Sequence, residues 1–187
     1  AQPLQVVASF SILGDLVQQV GGERIKVTTL VGANADAHTF EPRPSDAKAI
    51  LGAKLVVING LGFEPWAEKL VKSAHYTGPT LIASQGIQTR QLPATNGEVQ
   101  ADTDPHGWQD PSNVMQYVKN IAKSLSSHDP EGASSYKKNS ESYLRELSAL
   151  DQFARDQIGR IAPAKRQVIT SHDAFGYFAA RYQIRFL

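Results

Sequence analysis

Hydrophobic residues follow two different spacings along the chain. Short runs rich in Val, Ile and Leu, such as residues 4–10 (LQVVASF) and 54–59 (KLVVIN), are typical of β-strands. Between them lie segments with apolar residues at helical spacing. The predicted strands cover residues 4–10, 24–31, 54–59, 80–84 and 166–170. The predicted helices cover residues 12–20, 45–53, 65–74, 111–127, 129–161 and 174–182.

Strands and helices alternate through the first 128 residues, an order that indicates βαβ units and a parallel sheet. The run from Leu55 to Ile58 has no polar residue, which is typical of a strand covered on both faces. We therefore predict the α/β class, with a parallel-sheet N-terminal lobe over residues 1–128. Residues 85–105 are polar and without period, so we expect a long loop there.

The helix predicted over residues 129–161 would be roughly 45–50 Å long, which is long for a small domain. One stripe of it carries Tyr136, Tyr143, Leu147, Leu150, Ala154, Ile158 and Ile161. We predict that residues 129–162 form a rigid link and that residues 163–187 are the incomplete start of a C-terminal α/β lobe. We expect this stub to leave apolar side chains uncovered and to allow self-association. They are Phe175, Tyr177, Phe178, Phe186 and Leu187.

Composition and charge exclude several classes of protein. Apolar residues make up 41% of the chain and charged residues 20%, a balance that excludes disorder. With 19 Lys and Arg against 18 Asp and Glu, the chain lacks the basic surface expected of a protein that binds nucleic acid or anionic lipid. No run of 18 apolar residues predicts a membrane span.

The chain contains no Cys, which excludes disulfides, thiol catalysis and thiolate metal sites. For the same reason we expect no lipid anchor on an N-terminal Cys. The start Ala1-Gln2-Pro3, without Met, is typical of a mature end after signal-peptide cleavage, a trimmed chain being the alternative. Together these features favour a free periplasmic protein.

Three of the five His residues follow the carboxyl ends of predicted strands, namely His38, His106 and His172. Ligands bind at that edge of open α/β sheets. Three neutral imidazoles favour Zn²⁺ over Ca²⁺ or Mg²⁺ and leave one tetrahedral position open. Alternatively, each His serves only its own loop, and spacing alone does not decide between the two. His75 and His128 lie near helix C-termini and are predicted to be surface residues.

Acidic residues lie close to two of these three histidines. Asp36 precedes His38 by two residues, Asp104 precedes His106 by two, and Glu41 follows His38 by three. An acid near a ligating His accepts its second N–H and fixes the tautomer and orientation of the ring. The alternative for each acid is capping or solvation of its loop.

Three motifs make the chain resemble a known family: Asp36-Ala37-His38-Thr39-Phe40-Glu41-Pro42, Asp104-Pro105-His106-Gly107-Trp108-Gln109-Asp110-Pro111 and Ser171-His172-Asp173-Ala174-Phe175-Gly176-Tyr177-Phe178. They are similar to the ligand motifs of the metal-binding solute-binding proteins of zinc and manganese ABC transporters (the ZnuA/TroA-like family). The first strand and the segment from Asp46 to Glu64 are also similar, so the resemblance covers essentially all 187 residues.

The resemblance implies two α/β lobes joined by a long rigid helix, with the metal bound between the lobes. It makes His38 and His106 the N-lobe ligands and His172 the first C-lobe ligand. The family's fourth ligand, commonly an Asp late in the C-lobe, has no counterpart here. Members that favour manganese usually carry Glu where His172 stands, so the three His favour Zn²⁺ over the alternative Mn²⁺. The His-rich loop of many zinc members is absent from residues 85–105.

The implied function is periplasmic capture of a divalent transition metal, zinc first, and its delivery to an inner-membrane ABC permease, without catalysis. Binding of manganese or iron is the alternative within the family. A zinc hydrolase is an alternative of another class, with Glu41 or Asp104 as the base, although no HExxH motif is present. A metal-stabilised adhesin is the third interpretation.

Overall fold

The computed structural model describes residues 2–94 and 102–187, and its N-terminal part is built on a four-stranded parallel sheet. The strands are β1 (Leu4–Phe10), β2 (Ile25–Val31), β3 (Leu55–Ile58) and β4 (Thr80–Ile82), in the order β2-β1-β3-β4. β1 pairs with both neighbours, so that Val7 lies opposite Thr28 and Val56. The chain leaves β1 in one direction and returns on its other side, which makes the β1–β3 boundary the switch point where such sheets bind ligands.

In the part of the chain that the structure describes, six α-helices cover and extend this sheet. They are α1 (Ser11–Gly21), α2 (Pro44–Leu51), α3 (Ala67–Ser73), α4 (Pro111–His128), α5 (Ala133–Gly159) and α6 (Gly176–Tyr182). α1, α4 and α5 pack against one another, and α2 contacts α3. All four residues of β3 are buried, because a strand in the middle of a parallel sheet is covered by helices on both faces.

The start of α4 shows how the sequence sets a helix boundary close to the predicted site. Asp110 accepts a hydrogen bond from the backbone N–H of Ser112 at 2.8 Å, and Pro111 occupies the first helical position. The inner face of this helix then buries Tyr117, Val118 and Ile121. The helix therefore begins directly after the segment that carries His106.

Every predicted element is present, but most are shorter than predicted. β5 (Gln167–Val168) is two residues long where 166–170 was expected, because its partner β6 (Arg185–Phe186), which was not predicted, is equally short. α5 begins at Ala133 because Pro130–Gly132 forms a separate 3₁₀ turn. Residues 95–101 of the predicted loop, and Ala1, lie outside the described residues.

α5 has 27 residues and is about 40 Å long. Its first half packs on α1 and α4, where Tyr136 is fully buried and Leu147 is 6% exposed. Beyond that point Leu150 and Phe153 are 51% and 61% exposed. The predicted apolar stripe therefore continues past the surface of the first lobe.

α6 is fixed to the far end of α5 by one buried carboxylate. Asp151 accepts hydrogen bonds from the guanidinium of Arg181 at 2.6 and 3.1 Å and from the hydroxyl of Tyr182 at 2.7 Å. The hydrogen bonds from Arg181 and Tyr182, with the positive charge of Arg181, lower the pKa of Asp151 to about 2.

The aromatic residues of the C-terminal segment are better covered than predicted. Tyr177 is only 3% exposed because it packs against the N-terminal lobe, and Phe175 stacks on Phe186 at 5.6 Å between ring centroids. Ile169 and Leu187 are 78% and 59% exposed. Within the described residues, no helix combines the length and the apolar character needed to cross a membrane.

Candidate metal centre

A cavity of about 250 Å³ lies at the carboxyl edge of the sheet, next to its switch point. Loops after β1, β2, β3 and β4 reach it, and so does the segment between β5 and α6. Its wall combines small residues with six aromatic side chains, namely Phe10, His38, Phe63, His106, Trp108 and His172. The three histidines that the sequence singles out therefore share one cavity.

The three imidazole rings lie side by side. The centroid of the His106 ring is 6.0 Å from that of His38 and 5.6 Å from that of His172, with edge-to-face contacts in both pairs. With Zn–N bonds of about 2.0–2.1 Å, two imidazoles on a tetrahedral ion have ring centroids about 5 Å apart. The observed separations exceed that value by an ångström or less.

The rings are adjacent but are not yet in a coordinating arrangement. Across residues 2–94 and 102–187, no three His, Cys, Asp or Glu side chains form a group that could hold an ion. A shift of about an ångström brings the His38–His106 and His106–His172 centroid separations to the value that a tetrahedral ion requires. The donor chemistry of these residues, neutral nitrogens beside one cavity, fits a nitrogen site.

His106 is the most firmly held of the three histidines. It is 5% exposed, and Asp104 Oδ1 accepts its backbone N–H at 3.0 Å and lies 2.7 Å from its Nδ1. With Nδ1–H donating to Asp104, Nε2 keeps the lone pair that a metal needs. This contact is the one that the predicted orienting role of Asp104 requires.

Asp104 remains ionised in its buried position. Burial by itself raises the pKa of this carboxyl, but the hydrogen bonds from His106 and the charges of His106 and Arg90 outweigh it and lower the pKa. Because Asp104 is engaged twice with His106, it is not free to activate a water, as the hydrolase alternative requires.

His38 follows the same local plan in a more open position. Asp36 Oδ1 accepts the backbone N–H of His38 at 2.8 Å, and this bond lowers the pKa of Asp36. The ring of His38 packs edge-on against Phe63, at 4.9 Å between centroids. Partial burial lowers the pKa of His38 against the charge of Asp36, which favours the neutral form that metals bind.

His172 lies in the segment between β5 and α6 and is exposed. Its carbonyl accepts hydrogen bonds from the hydroxyl of Thr170 and the backbone N–H of Ala174, both at 3.0 Å. The ring itself meets His106. Glu41 is exposed and is not among the residues that line the cavity. His75 and His128 are exposed too, as expected.

Behind His106 lies a buried polar network that the sequence analysis missed. Asn59, fully buried at the end of β3, donates from its side-chain amide to the carbonyl of Pro105 at 2.9 Å. The hydroxyl of Tyr117 donates to Asn59 Oδ1 at 2.5 Å. This network fixes the backbone immediately before His106 to the sheet. A polar residue directly after four buried apolar positions is the signal that could have revealed it.

Glu64 stabilises the loop that follows β3. Its carboxylate accepts the hydroxyl of Ser9 at 2.7 Å and the backbone N–H groups of Gly60 and Asn59 at 2.7 and 3.0 Å. Burial raises the pKa of Glu64, and these three donors partly offset that rise. The loop they hold carries Phe63 into the cavity wall.

Comparison with known protein families gives a match along almost the whole chain. The family described as zinc-uptake complex component A, periplasmic, matches residues 6–187. The manganese-binding lipoprotein MntA of Halalkalibacterium halodurans is 37% identical over 179 residues, which are 96% of this chain. The iron-binding protein YfeA of Yersinia pestis is 34% identical over 182 residues, or 97% of this chain. The chain spans 58% of the length of each relative.

Solved structures share the fold. The Mn-bound periplasmic metal binding protein from Candidatus Liberibacter asiaticus has a TM-score of 0.88 at 30% identity, over 97% of this chain and 67% of that one. A zinc-bound ZnuA with residues 138–173 deleted has a TM-score of 0.89 at 33% identity, over 99% and 69% of the two chains. These matches confirm the predicted α/β class and the family resemblance.

The names of these relatives also correct parts of the sequence interpretation. They describe binding proteins, which agrees with the expectation of no catalysis, and they give no support to an adhesin. One of them is a lipoprotein, so the expectation of a protein without a lipid anchor is not supported. Manganese and iron appear beside zinc, so the preference for zinc rests on the donor set alone. The match over residues 6–187 shows that the chain belongs to the periplasmic zinc-uptake component A (ZnuA) family.

Proposed function

We propose that this protein captures a divalent transition metal at His38, His106 and His172 and delivers it to an inner-membrane ABC permease. The observation that carries the proposal is the adjacency of the three imidazole rings in one cavity, 5.6 and 6.0 Å apart between centroids. Neutral nitrogen donors suit zinc best, which makes zinc the first candidate for the transported ion. Manganese and iron, which occur in the names of relatives, are the alternatives.

The proposed division of the chain follows the predicted boundaries. Residues 1–128 form the N-terminal lobe and supply His38 and His106. Residues 129–162 connect it to residues 163–187, which supply His172 and begin the second lobe. In this arrangement the metal joins two parts of the chain that are separated by a long helix.

Asp104 and Asp36 support the ligands in this proposal. Asp104 holds the ring of His106 through Nδ1, and Asp36 holds only the backbone of His38. Glu41 is the weaker candidate because it is exposed. Three protein ligands leave a fourth position that water or a further residue fills.

Release of the ion is proposed to depend on His172, which is exposed, as His38 also is, and which lies outside the N-terminal lobe. The long helix restrains a wide hinge motion, so local movement of the segment around His172, driven by docking on the permease, opens the site. His172 has few supporting contacts and therefore moves at low cost. His106, held by Asp104 and by the Asn59 network, stays in place.

Zinc titration of the full-length protein tests the proposal. We expect one ion per chain in wild type and a large loss of affinity in each of the variants His38→Ala, His106→Ala and His172→Ala. The matched controls are His128→Ala and His75→Asn, the latter because His75 has φ of 55°, which Asn tolerates. Controls with wild-type affinity support the site. Unchanged affinity in any two of the three cavity variants rules it out.

Self-association through the segment after α5 is a further part of the proposal. Val168, Ile169 and Leu187 are 40%, 78% and 59% exposed, which leaves apolar surface for a second copy. Sedimentation of the 187-residue chain at rising concentration should show a dimer that Ile169→Ser weakens. A monomer at all concentrations would contradict it.

A further inference from the structure

One tyrosine hydroxyl from the C-terminal segment is inserted between two backbone segments of the N-terminal lobe. The hydroxyl of Tyr177, in α6, donates to the carbonyl of Asp104 at 2.7 Å and accepts the backbone N–H of Arg90 at 3.1 Å. Tyr177 is 3% exposed and Asp104 is 1% exposed, so these bonds are shielded from water. They link segments 73 and 87 residues apart in the sequence.

The hydroxyl of Tyr177 takes the place of one of the two backbone hydrogen bonds in an antiparallel β pair. The segments around Arg90 and Asp104 run antiparallel, with a bridge between Gln91 and Thr103. The N–H of Asp104 donates directly to the carbonyl of Arg90 at 2.8 Å. In an ordinary antiparallel pair the N–H of Arg90 would return a direct bond to the carbonyl of Asp104. Here the hydroxyl of Tyr177 makes both halves of that second bond.

The start of α6 is fitted closely to the same place. A Cβ added to Gly176 would collide with the guanidinium of Arg90 and would lie 3.0 Å from Asp104 Oδ2. The guanidinium of Arg90 also lies 5.8 Å from the centroid of the Tyr177 ring, in a cation–π contact. The helix therefore meets the backbone and the side chain of the residue that orients His106.

We propose that Tyr177 is a positioning residue for the metal centre, acting through Asp104 on His106. Its hydroxyl fixes the backbone of Asp104, whose carboxylate in turn fixes Nδ1 and the backbone N–H of His106. The inference rests on the proposed function, because it assigns a role in metal capture. It means that α6 supports a ligand of the other lobe, in addition to following His172 in the chain.

Loss of the hydroxyl has the same consequence whichever way the structure responds. If the two segments stay apart, a buried N–H and a buried carbonyl lose their partner, which loosens Asp104. If they close to form the direct bond, the carboxylate of Asp104 moves with its backbone. In both cases Nδ1 of His106 loses its alignment.

The test compares Tyr177→Phe with Tyr182→Phe in the full-length protein. Both tyrosines lie in α6, both are buried, and each hydroxyl donates at 2.7 Å, but the partner of Tyr182 is Asp151, away from the cavity. We expect Tyr177→Phe to weaken zinc binding by about three- to tenfold, a smaller loss than that from removing a direct hydrogen-bond partner of a ligand. The visible spectrum of the Co²⁺-loaded protein should also change.

Tyr182→Phe is expected to lower the melting temperature while its zinc affinity stays within about twofold of wild type. A purely structural Tyr177 would lower the melting temperature and leave zinc affinity and the Co²⁺ spectrum unchanged, which would overturn the proposal. Wild type that binds no zinc, or cavity His variants with unchanged affinity, would instead refute the proposed function.

If Tyr177→Phe does not fold, a measurement on the wild-type protein still tests the proposed role of Tyr177. Coupling between two sites is reciprocal, so zinc must strengthen the hydroxyl bridge if the bridge strengthens zinc binding. Amide hydrogen exchange at Arg90, whose N–H donates to Tyr177, should slow by about three- to tenfold on zinc loading. Equal exchange rates in the zinc-free and zinc-loaded protein would overturn the proposal.

Discussion

The sheet edge and the segment after α5 bring histidines to one cavity with very different support. His106, from the sheet edge, is 5% exposed and is held through its ring and its backbone by Asp104. His172, from the C-terminal segment, is exposed and is held through its carbonyl alone. The two rings nevertheless lie 5.6 Å apart between centroids.

This difference divides the site into a preorganised part and an adaptable part. The cost of ordering His106 is met when the lobe folds, so its interaction with the metal contributes almost fully to affinity. His172 must be ordered when the ion binds. A carrier needs both properties, because tight capture favours fixed ligands and release favours a ligand that moves easily.

Removal of each ligand measures the difference directly. Structural zinc sites gain about 10–16 kcal/mol from four ligands, or about 3 kcal/mol each, so His106→Ala should weaken zinc binding by more than about a hundredfold. His172→Ala should cost about tenfold less, since part of its interaction is spent on ordering. Competition with a chromophoric chelator measures both. Equal losses would show that the different support does not affect binding.

The three histidines should differ in how readily acid protonates them, because their surroundings differ. Proton competition lowers zinc affinity as the pH falls below about 6.5, and we expect a loss of about fifteenfold between pH 7.5 and 6.0. Burial lowers the pKa of His38, so this residue stays neutral further into the acid range. His38→Ala should therefore bind zinc more weakly than wild type at every pH, while its zinc affinity falls with pH nearly as steeply as that of wild type over this range. A clearly shallower slope in His38→Ala would contradict the lowered pKa of His38 and its burial against Phe63.

The two aspartates allow a matched comparison within the sheet edge. Asp104→Asn should weaken zinc binding by about tenfold, because the ring of His106 loses its charged partner. Asp36 is bonded to the backbone N–H of His38 and not to its ring, whereas Asp104 contacts Nδ1 of His106. The amide in Asp36→Asn still accepts that backbone N–H, so this variant should weaken zinc binding by about twofold or less. Titration of both variants beside wild type decides. A larger loss of zinc affinity in Asp36→Asn than in Asp104→Asn would contradict the proposal that Asp104 contributes more to holding its histidine than Asp36 does.

The smallest expected effect concerns the attachment of the C-terminal segment. The pKa of Asp151 is lowered to about 2, so its ionised form stabilises the folded state above about pH 4, and this contribution disappears as the pH falls towards 2. Arg155 also contacts Asp151, with 3.4 Å between Nη2 and Oδ2. Asp151→Asn should reduce the free energy of unfolding by about 1 kcal/mol at pH 6, because Arg181 and Arg155 are both partly solvated. Urea denaturation at pH 6 and pH 3 measures the difference, which should shrink in acid. A difference that grows in acid would contradict this.

The general location of the site was predictable because topology places it. Parallel strands end at one edge of a sheet, so recognition of β2 and β4 placed His38 and His106 at the same edge. These are the two outer strands of the sheet, so it is the loops after them that bring the two rings together. The acid two residues before each His also led to the contacts of Asp36 and Asp104. Local spacing and the parallel direction of the strands were sufficient to predict these features.

The remaining features depend on contacts between distant segments, which no local pattern encodes. Tyr177 belongs to an aromatic run that looked uncovered, yet the N-terminal lobe buries it. Asn59 meets Pro105 only because β3 and the loop after β4 are neighbours in space. Glu41 matched the pattern of a supporting acid, but its loop leaves it exposed.

The free half of α5 acts as a lever. From Leu147 to Gly159 the helix extends about 18 Å beyond its packed half, so a tilt of about 3° displaces its far end by about 1 Å. Asp151, which ties α6 to this half, lies only about 6 Å beyond Leu147, so the same tilt moves the tie by about 0.3 Å. That is well below the shift of about an ångström that separates the imidazole rings from the tetrahedral separation, so bending of α5 moves the segment after Gly159 far more than it moves the proposed site.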